Sequence, residues 1–121
     1  MLGRSKTLRQ KRGQQAEAQA LKFLTRQGLR LIEKNFTCRV GELDLIMKDR
    51  QGTLIFVEVR ARESQAYGGA AASVTRGKQQ KVVRAAQTFL QQNGLGDVAC
   101  RFDVIAFEDQ APHWIQAAFS D

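Results

Sequence analysis

Three carboxylates interrupt two otherwise apolar runs: Glu42 and Asp44 in GELDLIMKD, and Glu58 in TLIFVEVRAR. Acids are depleted from strands, so three of them inside strand-like segments call for a reason. Strand side chains alternate between faces. Glu42, Asp44 and Ile46 therefore share one face, and Leu54, Phe56, Glu58 and Arg60 share one face of the next strand. Whether the two sets meet depends on the turn. Arg50-Gln51 is a poor two-residue turn, because both residues would need positive φ, whereas a three-residue loop from Arg50 to Gly52 with a left-handed glycine is a common closure. Asp49 then opposes Thr53, Asp44 opposes Glu58, and Glu42 faces Arg60. A loop one residue longer or shorter would send Asp44 and Glu58 to opposite sides.

Like charges across a ladder repel, and burial adds a desolvation cost. A shared proton, a pair of arginines or a bound cation would each compensate. Carboxylate oxygens suit Mg2+ or Mn2+, and such an ion polarises a phosphate and lowers the pKa of a bound water. A further acid, Glu17, stands three, four and seven residues before Ala20, Leu21 and Leu24, which places it on or beside the apolar stripe of a helix. The expected metal ligands are Asp44, Glu58, Glu17 and Glu42. The expected catalytic set is Asp44, Glu58, Glu17 and Arg60, whose guanidinium would hold the phosphate or the attacking water. On an exposed face the strand acids would instead pair with arginines.

The elements that must position these residues can be read from periodicity. A helix is expected from about Gly13 to Gln27, stopped by Gly28. Strands follow at Leu29 to Phe36, Glu42 to Lys48 and Thr53 to Arg60, the third so continuously apolar that it suits a central strand covered on both faces. The passage ARESQAYGGAAASVTRG reads as a loop. Lys78 to about Gln92 carries Val82, Val83, Ala86, Phe89 and Leu90 at helical spacing, and VACRFDVIAFE reads as a fourth strand before a short closing HWIQAAF. The order α-β-β-β-α-β describes an α/β fold, a mixed central sheet flanked by helices.

A chain of 121 residues has room for one domain. The expected division is a basic, flexible N-terminal arm over residues 1–12 and a single domain over residues 13–121. No apolar run is long enough to span a bilayer, and the basic N-terminus precedes no secretory apolar segment, so a cytoplasmic protein without membrane contact is expected. Cys38 and Cys100 lie in no zinc-like spacing and read as reduced thiols. His113, the only histidine, reads as structural, and Asp103 as the partner of Arg101 in a strand-edge salt bridge. The formal net charge is +7, and its cations cluster near the N-terminus and between Arg76 and Arg84. That favours a polyanionic partner, nucleic acid above all. Arg12, Arg76, Lys78 and Lys81 are the expected phosphate contacts.

The strings GELDLIMKD, FVEVRAR, YGGAAASVT, KQQK at 78–81 and RFDVIAF resemble the YraN-type family of small bacterial proteins. That family is assigned to the PD-(D/E)xK, or restriction-endonuclease-like, superfamily, with similarity to archaeal Holliday junction resolvases. The resemblance runs from Gly13 to Phe119. It implies a restriction-endonuclease-like core and a Mg2+- or Mn2+-dependent endonuclease acting on DNA rather than RNA, on branched or junction DNA among other forms. Enzymes of that kind cut two strands and commonly pair, which implies a homodimer. By position, Asp44 matches the first acid of the superfamily motif, Glu58 the second and Glu17 the acid on the first helix. Arg60 stands where lysine is usual. Arginine stays protonated and cannot act as a general base, so a nucleic-acid-binding module with weakened or lost catalysis is the alternative implied.

Overall fold

The computed structural model describes residues 8–62 and 74–121. Helix α1 covers Leu8–Arg26, followed by strands β1 (Arg30–Cys38), β2 (Gly41–Lys48) and β3 (Leu54–Arg62). Helix α2 (Arg76–Gln92) then leads to β4 (Cys100–Glu108) and β5 (Ala111–Phe119). The strands form one sheet in the order β1-β2-β3-β4-β5. All neighbours are antiparallel except β3 and β4. A parallel pair needs a crossover, and α2 lies within it.

The expected α-β-β-β-α-β order is present and a fifth strand extends it to α-β-β-β-α-β-β, with element ends moved by up to a few residues. Helix α1 begins at Leu8 rather than Gly13, so the expected arm over residues 1–12 is helical in its last part, while residues 1–7 lie outside the described residues. Leu, Arg, Gln and Lys are good helix formers, and a single Gly13 is tolerated. Helix α2 starts at Arg76, two residues early, because the Thr75 hydroxyl caps it by accepting from the Lys78 N–H. Most of the expected 61–77 loop, residues 63–73, lies outside the described residues. The closing segment is a full nine-residue strand, β5.

Alternation along β3 divides the core. Ile55, Val57 and Val59 pack with Ala16, Ala20 and Leu24 of α1, whereas Leu54 and Phe56 pack with Val82, Ala85, Ala86 and Phe89 of α2. The two helices thus cover opposite faces, and β3 is buried on both, which accounts for its nearly unbroken apolar sequence. Helix α2 approaches β2 closely at Gly41, where a β-carbon would sit 2.9 Å from the Lys81 carbonyl oxygen. Any larger residue there would push α2 outward.

The β2–β3 hairpin closes as expected. Asp49 donates its N–H to Thr53 O at 3.0 Å, Gly52 adopts φ +91, and Lys48 pairs with Leu54. Asp49 Oδ1 accepts from the Gln51 and Thr53 N–H groups, both at 2.9 Å, which braces the turn from inside. The two cysteines are free thiols.

Candidate active site

The hairpin register carries Asp44 against Glu58, but the main-chain ladder stops one pair earlier, at Leu45–Val57. From there side chains replace it. The Val59 N–H donates to Asp44 Oδ2 at 2.8 Å, and the Asp44 N–H lies 3.4 Å from Glu58 Oε2. Each acid thereby takes a backbone donor from the opposite strand, and the strands are cross-linked by carboxylates instead of carbonyls. The expected pairing of Glu42 with Arg60 is consequently not part of the β2–β3 ladder. Glu42 opposes Thr37 on β1 and is exposed, while Arg60 aligns with Ala106 on β4.

A second irregularity lies on the other side of Asp44. Asn35 adopts φ 55, and the β1–β2 ladder omits its pair with Asp44 while keeping one register, Lys34–Leu45 on one side and Phe36–Leu43 on the other; the register shift of this strand pair lies between Leu31 and Glu33. Leu45 packs in the core under α1, yet Leu43, two residues earlier, packs with Phe36 in the core under α2. Simple alternation would keep both leucines on one face. Asp44 sits where the faces exchange, so it feels groups from both layers: Glu17 on α1 and Glu58 beside α2.

Glu58 is 1% exposed. Burial, and then the charge of Asp44, push its carboxyl up to about 8, against the pull of Lys78 and Arg60. Burial raises Asp44 too, opposed first by the Val59 N–H and then by Arg60 and Lys78. Glu17 is raised by burial and by Asp44, and a hydrogen bond with the Asn35 side chain works the other way. Glu42 acts at a distance, its charge adding to the rise at Asp44 and Glu17. Two cations meet at Glu58 Oε1: Lys78 Nζ at 3.8 Å and Arg60 Nη2 at 4.0 Å. Arg60 Nε is buried and has no hydrogen-bond partner among the described residues.

Of the expected site residues, the structure brings together Asp44, Glu58 and Arg60, with Glu17 close enough to respond to Asp44. Glu42 stays at the rim. Among the described residues no three His, Cys, Asp or Glu side chains are grouped closely enough to enclose a metal ion. Mg2+ does not require such a cage, since it commonly takes one or two carboxylates and completes its shell with water and substrate phosphate. The buried, mutually repelling pair of hard oxygen donors therefore fits that ion as Asp44 and Glu58 stand.

Lys78 differs from its expected place. The sequence predicts a phosphate contact on the helix flank, yet the side chain reaches into the acid pair because α2 begins with its first turn over Glu58. Arg76 and Lys81 are exposed on the same end of the helix, and that first turn contains no acid, so the helix dipole and three cations share one sign there. The backbone of Arg12 lies in α1, and its side chain is outside the described residues. Asn35 had no signal in periodicity, although asparagine is among the residues that tolerate positive φ.

Asp103 forms a second buried centre with a different character. It is fully buried and accepts from Arg101 Nε at 3.0 Å, Arg101 Nη2 at 3.2 Å, Trp114 Nε1 at 2.9 Å and the Ala117 N–H at 2.9 Å. The expected strand-edge salt bridge is thus the anchor of β5, including the positive-φ residue Ala117. His113 lies 3.8 Å from Glu108. Among the described residues no helix is long and apolar enough to cross a membrane.

Comparison with known proteins places this arrangement in a family. The chain is 50% identical over 109 residues to a UPF0102 protein of Alkalilimnicola ehrlichii, covering 89% of this chain and 86% of that one. It is 53% identical over 111 residues to one of Aeromonas hydrophila, with 89% and 84% covered, and 50% identical over 117 residues to one of Herminiimonas arsenicoxydans, with 97% and 93% covered. Among solved structures, a repair endonuclease from Pyrococcus abyssi is similar over 89% of this chain and 41% of that longer chain, at 15% identity and a TM-score of 0.46. The model of uncharacterised protein family UPF0102 matches residues 16–107, a span that holds Glu17, Asp44, Glu58, Arg60 and Lys78, and the chain belongs to that family.

Proposed function

We propose that this protein is a metal-dependent endonuclease acting on DNA, with branched or junction DNA among its substrates. The observation that carries the proposal is the acid pair. Asp44 and Glu58 come from adjacent strands into one buried place, where burial and mutual repulsion lift both carboxyls, and two cations stand beside them. Buried like charges are costly, and a cationic ligand relieves that cost.

Asp44 and Glu58 would hold Mg2+ or Mn2+, which when bound activates a water and neutralises charge on a phosphate. The remaining work falls to this chain. Burial and Asp44 push the Glu58 carboxyl up to about 8, which favours its protonated form near neutral pH when no cation is bound, and a bound cation would draw both carboxyls back toward their charged forms. Arg60 is a permanent cation whose Nε has no partner among the described residues, and its guanidinium orients a phosphate oxygen. Lys78 supplies a second cation to the same oxygen-binding place. Its position on α2 offers the ammonium that the strand lacks where Arg60 replaces lysine. Glu17 raises the negative potential around Asp44. Arg76 and Lys81, exposed beside the site, extend the contact along the backbone of the nucleic acid.

The alternative, a nucleic-acid-binding module without strong catalysis, draws on the same two cations. Both approach Glu58 Oε1 within 4.0 Å and offset part of its charge without any metal. One set of assays separates the readings. Labelled duplex, single-stranded and four-way-junction DNA are incubated with the protein in Mg2+ or Mn2+, beside Asp44→Asn and Glu58→Gln. Cleavage by the parent that is lost in both variants is expected. Binding without cleavage supports the module, and cleavage that persists in Asp44→Asn refutes the assigned site.

A further inference from the structure

A second cationic place lies at the other end of β2. The hairpin tip and the turn after α1 enclose a cleft of about 480 Å3, lined by Gly28, Arg30, Lys48, Arg50 and Gly52 together with Asp49 and Gln51. Arg30 and Lys48 are cross-strand partners, so their side chains leave the sheet on one face. Arg50 lies across the turn after α1, its Nε 3.4 Å from where a β-carbon of Gly28 would stand, and Gly28 has φ +97. The Lys48 stem lies along Gly52, its Cε 3.9 Å from the corresponding point there. Each of the two turn glycines thus lies within van der Waals range of one cationic side chain.

The lone carboxylate of the cleft does not neutralise it. Asp49 Oδ1 accepts from two backbone N–H groups of its own turn, and Oδ2 faces Arg101 at 4.0 Å. None of Arg30, Lys48 and Arg50 forms an ion pair among the described residues. Three unpaired cations around a concave space, with the adjacent acid occupied, are the reverse of what folding alone would favour. A phosphate group meets their chemistry, with the Arg guanidiniums as forked donors and Lys as a compact point charge.

We propose that this cleft is a phosphate-binding site separate from the acid pair. On β2, Lys48 follows Asp44 by four residues, about 14 Å at strand rise, or about four base steps of rise along a duplex axis. A nucleic acid engaged at Asp44 and Glu58 would reach the cleft with a phosphate several nucleotides from the reacting one. In that form the inference rests on the proposed function; the affinity of the cleft for a phosphate ester does not.

The test uses the full chain and Arg50→Gln, Lys48→Gln and the double variant, each checked for an unchanged melting curve. Arg50 is exposed, so its single variant keeps the test open should the double variant misfold. Duplex binding is measured against salt concentration, and pyrophosphate is titrated while the Gly28 and Gly52 amide resonances are followed. Loss of one phosphate contact lowers the salt slope by about 1, so the double variant should lose about 2 and bind at least tenfold more weakly. A slope that does not change, with pyrophosphate shifts that vanish in the variants, assigns the cleft to a free phosphate ester. A parent that ignores DNA yet shows those shifts upholds the cleft and sinks the nuclease reading. Neither a slope change nor cleft-specific shifts overturns the proposal.

Discussion

Replacing Glu58 by Gln should stabilise the metal-free protein, and by an amount that grows with pH. Glu58 titrates near 8 in the fold against an ordinary 4.5. Between those values the native state binds more protons than the unfolded chain, so stability falls as pH rises and the loss is complete above about pH 8. At about 1.4 kcal/mol per pH unit, the full displacement corresponds to at most about 5 kcal/mol. The measured value should be smaller, because Asp44 titrates with Glu58 and takes up part of the relief once its neighbour is neutral. Gln has the shape of the protonated acid and can still accept the Asp44 N–H. Urea unfolding of both proteins in EDTA at pH 4.5 and pH 8.5 reads the effect. The two should be nearly equal at the lower pH, and the variant should be more stable by about 2 to 5 kcal/mol at the higher one. Millimolar Mg2+ or Mn2+ at pH 8.5 should recover stability in the parent and little in the variant. A gap that stays constant with pH, or that shrinks as pH rises, refutes the claim that Glu58 is a destabilised buried acid.

Three more outcomes follow from named contacts. Lys78→Met removes a charge that pulls the Glu58 carboxyl down, so a carbon-detected NMR titration should show Glu58 ionising at still higher pH, and unchanged titration would place the ammonium elsewhere in solution. Asp103→Ala removes the buried acceptor shared by Arg101, Trp114 Nε1 and the Ala117 N–H and, because those donors are half-buried or exposed, should cost about 1 to 3 kcal/mol; a melting temperature lowered by less than a few degrees would contradict its anchoring role. Gly41→Ala sets a methyl 2.9 Å from the Lys81 carbonyl and should cost about 1 to 3 kcal/mol, with any DNA cleavage falling as well because α2 carries Lys78; calorimetry and a cleavage assay read the two effects.

Much of the architecture was legible because it depends on local chemistry. The Arg50 to Gly52 loop set the hairpin register through one left-handed glycine, and from that register the meeting of Asp44 and Glu58 followed by counting. The long apolar run of β3 likewise announced a strand covered on both faces. What escaped depends on tertiary context. The start of α2 hinged on Thr75, an N-cap hidden in a passage rich in alanine and glycine. The nine-residue β5 needed Asp103, eleven residues before Trp114, to hold its irregular backbone.

The largest miss is also the most informative. Alternation treats β2 as one continuous ribbon, and on that assumption Asp44 can face only one helix. The left-handed Asn35 and the omitted ladder pair beside it remove the assumption. With Leu43 committed to one core and Leu45 to the other, Asp44 occupies the only part of β2 between them, where its main chain is released from β3 and its carboxylate takes the Val59 N–H. A regular ladder would have paired that N–H with a carbonyl and would have left the acid on one face. The irregularity is thus the device that lets α1 present Glu17 and α2 present Lys78 to a common centre. A local departure from strand geometry of this kind costs stability, and its coincidence with the buried acids ties that cost to the site.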